Sequence, residues 1–536
     1  MSIQIKRGMK KDLPQLKDGE LAFCRDTKEL YVGNNGNENV SVTKKIEDRL
    51  DAVDSQLAHI PSLLFSKYNI DNTGLSDTTD NFKTMLNNEN YIYLAKGVYK
   101  VSDLAINNKT IIGEIGTKIL VDTNKDYQEF ALYCSGKNYF ENIIFELKDT
   151  ATRTALVSLH NATDNVFINC NFDCFDNGAN SSKTPVDIYQ NSQNIKFINC
   201  TINAMSNGSA GGVWVRNISP EIEKCVKNIS FDNCIFNKMG GDEVIAVWGW
   251  KGYLENIYFT RCTINGYKSD FKNPSHFITL GMGGTSNNII MDSCKIYVEY
   301  PSSTNGHSII KSFKDVTTGG AVDHGKIGNG CKILNCTIEI NSLKDSDFIV
   351  FRCDKQYWEN YIISGCDIIA HSSIRRLTSG NNKIQGCNIK ADTVLDSMFA
   401  STDVVENNIV EYNKGKLFTH CAKINNNNIY IHNTSDNYVM QFIDNKDIKY
   451  IFTNNTIKLE TQSQSIFAND KTNIALDLLI QGNNLYNIGF FINTNPSSKI
   501  RVINNTFENA TQKTILGGEP IIASNIVNNE FKQSGL

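Results

Sequence analysis

No apolar run in the sequence approaches the roughly 18 to 20 residues that a membrane-spanning helix needs. The opening MSIQIKRGMKKDL also lacks the apolar core of a secretory signal. Membrane insertion is therefore not expected, and folding in a cytosol is. There is no surplus of either charge: 53 Lys and Arg stand against 57 Asp and Glu, for a formal charge of −4. A sequence-independent grip on nucleic acid or on an anionic membrane surface needs a basic excess, so neither partner is expected. Proline is scarce at 8 residues, and tryptophan scarcer at 4. Cysteine is not scarce, at 15, but none forms a CxxC pair or joins a tight Cys/His cluster. Structural zinc is thus not expected, no cofactor is implied, and a cytosolic setting predicts thiols rather than disulfides.

What the chain has instead is one phrase written many times. NIKFINCTI, residues 194–202, returns as NISFDNCIF at 228, NIYFTRCTI at 256 and NIIMDSCKI at 288. Aligned on cysteine, the marks are Cys170, Cys200, Cys234, Cys262, Cys294, Cys336, Cys366 and Cys387. Two residues after each come Phe172, Ile202, Phe236, Ile264, Ile296, Ile338, Ile368 and Ile389. Later copies put asparagine in the slot, at Asn407, Asn427, Asn455, Asn483, Asn505 and Asn529, followed by Ile409, Ile429, Ile457, Leu485, Phe507 and Phe531. The spacings run from 20 to 42 residues, which is a repeat with insertions rather than a helical unit of fixed length.

Apolar residues alternate within each phrase, and a period of two is that of a strand. Short strands joined by variable turns predict an all-β fold, a right-handed single-stranded parallel β-helix over residues 66–536. About fifteen coils stacked at ~4.8 Å would make a rod on the order of 70 Å long, with equivalent residues in ladders. In such ladders a buried Cys is a small apolar filler, and a buried Asn can bond the amide of the next coil. The repeated cysteines and asparagines therefore belong to the core and not to any chemistry.

The head of the chain is written differently. Residues 1–40 contain two strand-like runs, Leu21 to Cys24 and Leu30 to Gly33, among turn-rich sequence. Residues 41–65 place Ile46, Val53 and Ile60 in one heptad position and Leu50, Leu57 and Leu64 in the other. Leu at a with Ile or Val at d favours three or four strands over two, so a short trimeric coiled-coil stalk is expected.

Two resemblances follow from particular residues. The block with Asp71, Gly74, Asp77, Thr78 and Phe82, then YIYLAKGVYKV and KTIIGE, resembles the opening of the pectate-lyase-like β-helices of bacteriophage tailspikes. The head, with IKRG, GELAF and ELYVGN, resembles the virion-attachment module of phage tail fibres. Lys6-Arg7-Gly8 and Lys28-Glu29-Leu30 depart slightly from that pattern. The family implies a homotrimeric receptor-binding protein of the virion, attached to tail or baseplate proteins through residues 1–40 and assembled in the host cytoplasm. Its partner would be a host cell-surface polysaccharide or teichoic acid, often degraded as well as gripped. A non-enzymatic adhesin and a structural fibre component that carries another receptor-binding protein are the alternatives.

Alternation points to where a glycan would bind. In VDIYQ, Val186 and Ile188 point inward, which leaves Asp187 and Tyr189 outside; in GVWVRN, Trp214 and Arg216 are outside. In FIVFRCDKQYW the outward residues are Val350, Arg352 and Asp354. The run GGDEVIAVWGWKG adds Asp242, Glu243, Trp248 and Trp250, which cannot all be core. All four tryptophans, with Trp358, fall between residues 214 and 358. Aromatic faces stack on sugar rings, and charged groups beside them hold hydroxyls, carboxylates or phosphates. The expected substrate-binding set is Tyr189, Trp214, Arg216, Trp248, Trp250, Arg352 and Asp354; packing of the same aromatics in a trimer interface is the competing reading.

Hydrolysis would need two carboxylates across a glycosidic bond. Asp187 and Glu243 fall two coils apart, about 9.6 Å of rise, within reach of an inverting arrangement. Asp242 is an equal candidate, and Asp323, His324 and Asp354 are reserves. A lyase would use a base such as Arg216 or Lys311 and would need a uronate substrate.

Overall fold

The computed structural model describes residues 6–41 and 67–532. Excepted within these are 18–19, 28, 35–37, 124–130, 149–152, 177–181, 207–210, 218, 220, 240–242, 268–275, 301–307, 314–327, 343–348, 354–357, 381, 401, 420, 433–439, 443–448, 464–466, 470–476, 489, 494–498, 510–512 and 517–525. The heptads of 46–64 lie outside the described residues, so the stalk remains an expectation from sequence. Two compact units result, one reaching Ile70 and including Tyr93–Ala95, the other made of Asp71–Ile92 and the chain from Lys96 onward.

The head is a four-stranded sheet. Lys6–Gly8 runs parallel to Leu21–Cys24, which pairs antiparallel with Leu30–Asn34, and that with Glu38–Ser41. Leu16, Ala22, Cys24 and Tyr31 form its small core. Glu29 accepts from Lys10 Nζ at 2.9 Å and from the Tyr31 hydroxyl at 2.7 Å. These two partners hold its carboxyl down at about 2.

The body is a parallel β-helix. Its strand pairings join each coil to the next in parallel on three faces, as in 193–198 with 226–232, 201–206 with 235–239, and 213–216 with 245–248. One ladder runs through Tyr99, Ile119, Phe145, Phe172, Ile202, Phe236, Ile264, Ile296, Ile338, Ile368, Ile389, Val410, Ile429, Ile457, Leu485, Phe507 and Phe531. The expected parallel solenoid is thus present. It begins three rungs before the first repeat phrase that the sequence made obvious.

The repeated phrase now has a reason at each letter. In NIKFINCTI, Asn194 and Asn199 have φ of 57° and 54°; Asn199 makes the left-handed turn between the strands Gln193–Ile198 and Thr201–Ser206, and Asn194 a left-handed irregularity within the first of them. Asn tolerates that region because its short side chain bonds locally. Ile195, Phe197, Cys200 and Ile202 point into the core. Phe140, Phe167, Phe197, Phe231 and Phe259 stack with centroids 4.7, 4.8, 4.6 and 5.0 Å apart, which matches the coil rise. All fifteen cysteines are thiols. In the ladder the thiol donates to a carbonyl of the coil before, as Cys200 Sγ does to Phe167 O at 3.4 Å. Burial pushes the Cys134 and Cys421 thiols up to about 12, so they stay protonated and unreactive.

The asparagine ladder is as expected in kind but shifted by one residue at its start. Asn408, not Asn407, fills the slot: it is buried, and its Nδ2 donates to Asn427 Oδ1 at 2.9 Å. Asn407 is the left-handed turn residue, with φ of 57°. Val410 then joins the core ladder, while Ile409 is 57% exposed. A one-residue slip exchanges the two faces of a strand. From Asn427 on, each slot amide receives two bonds: Asn455 Oδ1 accepts from Asn427 N at 3.0 Å and from Asn427 Nδ2 at 2.9 Å. Asn455→Ala is expected to cost about 3 kcal/mol, because it strands buried polar groups on both neighbouring coils. Asn455→Cys, the chain's own alternative in this slot, should cost less. Denaturant midpoints of the two variants check the order.

The helix Thr79–Asn88 lies against the first coils through Phe82, Met85 and Leu86, all buried, with Phe82 edge-on to Tyr99 at 6.2 Å. It starts where Asp77 Oδ1 accepts from Thr79 N at 2.8 Å. Among the described residues no helix is long and apolar enough to cross a membrane.

Candidate functional site

The third face of the coils carries Trp214 and Trp248. Its strands are Arg153–Ala162, Ser182–Tyr189, Val213–Arg216, Ile245–Thr260, His276–Asp292, Ser308–Phe313 and Ile349–Cys353. Val186, Ile188, Val213, Val215, Ile245 and Val247 fill the core side. On the other side the register makes two columns. One runs Ser158, Asp187, Trp214, Ala246, Thr279, Lys311, Arg352; the second runs His160, Tyr189, Arg216, Trp248.

At the centre stands Arg216. Its Nε donates to Asp187 Oδ1 at 2.9 Å and its Nη2 to Asp187 Oδ2 at 2.7 Å, a bidentate pair between adjacent coils. The guanidinium carbon lies 4.8 Å from the Tyr189 ring centre and 4.7 Å from that of Trp214. Trp214 stacks on Trp248 at 5.7 Å. Tyr189 continues to His160 at 4.7 Å, and His160 to Tyr133 at 6.1 Å. The Trp214 indole rests against Gly211, where an added Cβ would come within 1.9 Å of Nε1. The result is a cation fixed at both ends and flanked by aromatic rings. Burial pushes the Tyr189 phenol up, with Arg216 opposing, so it stays a neutral donor.

The expected residues fare differently. Tyr189, Trp214, Arg216 and Trp248 come together on one side of the sheet as alternation predicted, but Trp214 is buried at 6% exposure and not on the surface as expected, because Trp248 stacks on it and Arg216 lies over its ring. Asp187 lies on the same side but is only 1% exposed, not solvated as expected: a full bidentate bond to a neighbouring rung closes over it. Val350, also expected to face solvent, is buried. Glu243 is 5% exposed, and its Oε1 accepts from Thr279 Oγ1 at 3.0 Å, one coil further on. The coil count between Asp187 and Glu243 is two, through the Trp214 strand. Lys311 and Arg352 are neighbours in the first column. Asp242, Asp323, His324 and Asp354 lie outside the described residues. Trp250 and Trp358 pair through their backbones with Gly283 and Gly328, and their side chains lie outside the description.

Sequence reasoning missed Tyr133, His160 and Thr279. His160 was legible, since VSLHN alternates with Val157 and Leu159 inward; Thr279 stands 36 residues from Glu243 and gave no signal. Among the described residues no three His, Cys, Asp or Glu side chains are grouped to hold a metal ion.

Residues 3–34 match the family model of the Major tropism determinant N-terminal domain. The head is similar to that domain. That match spans the IKRG, GELAF and ELYVG stretches and ends before the heptads. A comparison with curated protein sequences gives no match. Among solved structures the chain is similar to ORF18 of Geobacillus virus E2, at 11% identity over 83% of this chain and 76% of that one, with a TM-score of 0.40. It is similar to tailspike protein 3 of bacteriophage CBA120 at 11% identity, over 96% and 75% of the chains, with a TM-score of 0.29. A tailspike protein of E. coli bacteriophage HK620, in complex with a pentasaccharide, gives 10% identity over 86% and 76%, with a TM-score of 0.30. At these identities and TM-scores the likeness is one of architecture only. The chain thus joins a head similar to a tropism-determinant domain to a parallel β-helix.

Proposed function

We propose that the protein adsorbs a phage to its host by gripping a cell-surface glycan, a capsule, exopolysaccharide or wall teichoic acid, on the tryptophan face. The observation that carries this reading is Arg216, pinned by Asp187 and set between Tyr189 and Trp214. A sugar ring can stack on the half-buried Tyr189 and Trp248, with buried Trp214 supporting them from within, and a rigid guanidinium beside them meets a carboxylate, phosphate or hydroxyl without losing further freedom. The head module attaches the chain to the tail, and the heptads of 46–64 gather three chains; both belong to the same proposal.

Hydrolysis of the bound glycan is the second half of it, through Asp187 with Asp242 or Glu243 as the acid and base. One observation favours a non-enzymatic adhesin instead: both Asp187 oxygens are engaged by Arg216, so a proton on either would break the pair. Host-wall glycan fragments decide the matter. Trp214→Ala and Arg216→Ala are each expected to weaken binding about tenfold or more, a loss of ~1.4 kcal/mol. Unchanged binding in both would sink the assignment of this face. Release of reducing ends by the wild type, lost in Glu243→Gln with binding kept, identifies a hydrolase. Binding without any release identifies the adhesin.

A further inference from the structure

A second polar site lies on the short coils toward the C-terminus. The register aligns Ile369, Lys390, Glu411 and Tyr430 on successive coils, while Ala370, Ala391, Tyr412 and Ile431 beside them are buried. An open groove of about 180 Å³ crosses these coils, lined by His371, Lys390, Asp392, Glu411, Asn413 and His432. Its charged groups form a chain. Lys390 Nζ meets Glu411 Oε2 at 3.1 Å, and His432 Nε2 meets Glu411 Oε1 at 3.1 Å. His432 Nδ1 meets Glu460 Oε2 at 3.1 Å, and His371 Nε2 meets Glu339 Oε1 at 3.4 Å. Asp392 and Asn413 line the same groove, are exposed, and make no hydrogen bond or ion pair among the described residues.

We propose that this groove binds a primary ammonium group carried on a saccharide, with Asp392 and Glu411 as the carboxylates and Asn413 as a further acceptor. With both imidazoles neutral, the four carboxylates of Glu339, Asp392, Glu411 and Glu460 outnumber the two lysines, Lys390 and Lys458, so a carboxylate or phosphate is repelled and a cation is attracted. An ammonium carries three donors and no acceptor. The unengaged oxygens of Asp392 and Asn413 supply acceptors on two neighbouring coils. The chemistry is opposite to that of the Arg216 face, and the proposal rests on no step of the previous one.

The groove also responds to pH. His432 is faced by Glu411 from the coil before, by Glu460 and Lys458 from the coil after, and by Tyr430 on its own strand at 4.5 Å. Its carboxylate contacts raise its pKa, and His432 with Lys390 lowers that of Glu411. Protonated, the imidazole donates from both nitrogens and satisfies both carboxylates. As pH rises through its folded pKa it loses one proton, one carboxylate is released, and the groove becomes more negative. Affinity for an ammonium that keeps its proton over this range therefore rises with pH.

Titration calorimetry of the full chain with 6-amino-6-deoxyglucose, and with glucose as its neutral twin, tests this at pH 5.5 and 8. The amino sugar should bind, glucose should not, and the amino sugar should bind more tightly at pH 8. Asp392→Asn should weaken binding on the order of fivefold, and His432→Gln should flatten the pH response. Trp214→Ala should leave all of this unchanged. Equal binding of the two sugars, or no effect of Asp392→Asn, overturns the proposal. So does loss of the signal in Trp214→Ala, which would move it to the other face.

Discussion

Asp187→Asn is expected to cost the body about 3 to 5 kcal/mol, the usual consequence of leaving a buried charge without its partner. The Arg216 side chain is 13% exposed and that of Asp187 1%, so water cannot make up the loss. The guanidinium would also leave its place between Tyr189 and Trp214, and glycan binding should fall with stability. The double variant Asp187→Leu/Arg216→Met separates the two effects. It replaces a buried pair with apolar groups, so it should recover most of the stability but none of the binding. Thermal or denaturant unfolding, read beside glycan titration, gives both numbers. A wild-type midpoint for Asp187→Asn would mean that the pair is not structural, which would return Asp187 to the catalytic role.

Phe231→Ala should have a comparable effect for a different reason. Phe231 is fully buried, with Phe197 at 4.6 Å and Phe259 at 5.0 Å on either side and Phe236 edge-on at 5.5 Å. Truncation removes one ring from a continuous stack and leaves a cavity that regular coils cannot collapse to fill, for a cost of about 3 to 5 kcal/mol. In a solenoid each coil is stabilised by its two neighbours, so the loss is local and divides the stack. Hydrogen exchange should show faster opening at the coils of Phe197 and Phe259 than at distant ones. Ile115→Ala, at a residue 82% exposed, is the control and should shift the midpoint by less than about 0.5 kcal/mol.

The asparagine pairs show how far the letters alone can be read. In each pair one residue turns in the left-handed region and the next fills the core slot, as Asn426 and Asn427, Asn454 and Asn455, or Asn504 and Asn505 do. At Asn407 and Asn408 both letters suit both roles, so the choice falls to pairing: Val410 must sit over Ile389 and under Ile429. No local propensity carries that information.

The site divides in the same way. Alternation within VDIYQ and GVWVRN was enough to place Asp187, Tyr189, Trp214 and Arg216 on one side of the sheet, because side-chain direction follows from strand geometry within a few residues. What each does there was not legible. Asp187 is a carboxylate in the sequence and the anchor of Arg216 in the fold, 29 residues away. Glu243 is engaged by a threonine on a later coil, and Tyr133 and His160 extend the aromatic column by two coils.

By itself, then, the sequence determined the solenoid, its inward ladders and the face on which Trp214 and Arg216 lie, because a strand's period and the turn preferences of asparagine act over single phrases. Only the tertiary structure decided which rung meets which. Burial of Asp187, the clamp on Arg216 and the His432 groove all arise from residues about 20 to 30 positions apart, brought to coil spacing by insertions whose lengths no local rule converts into register.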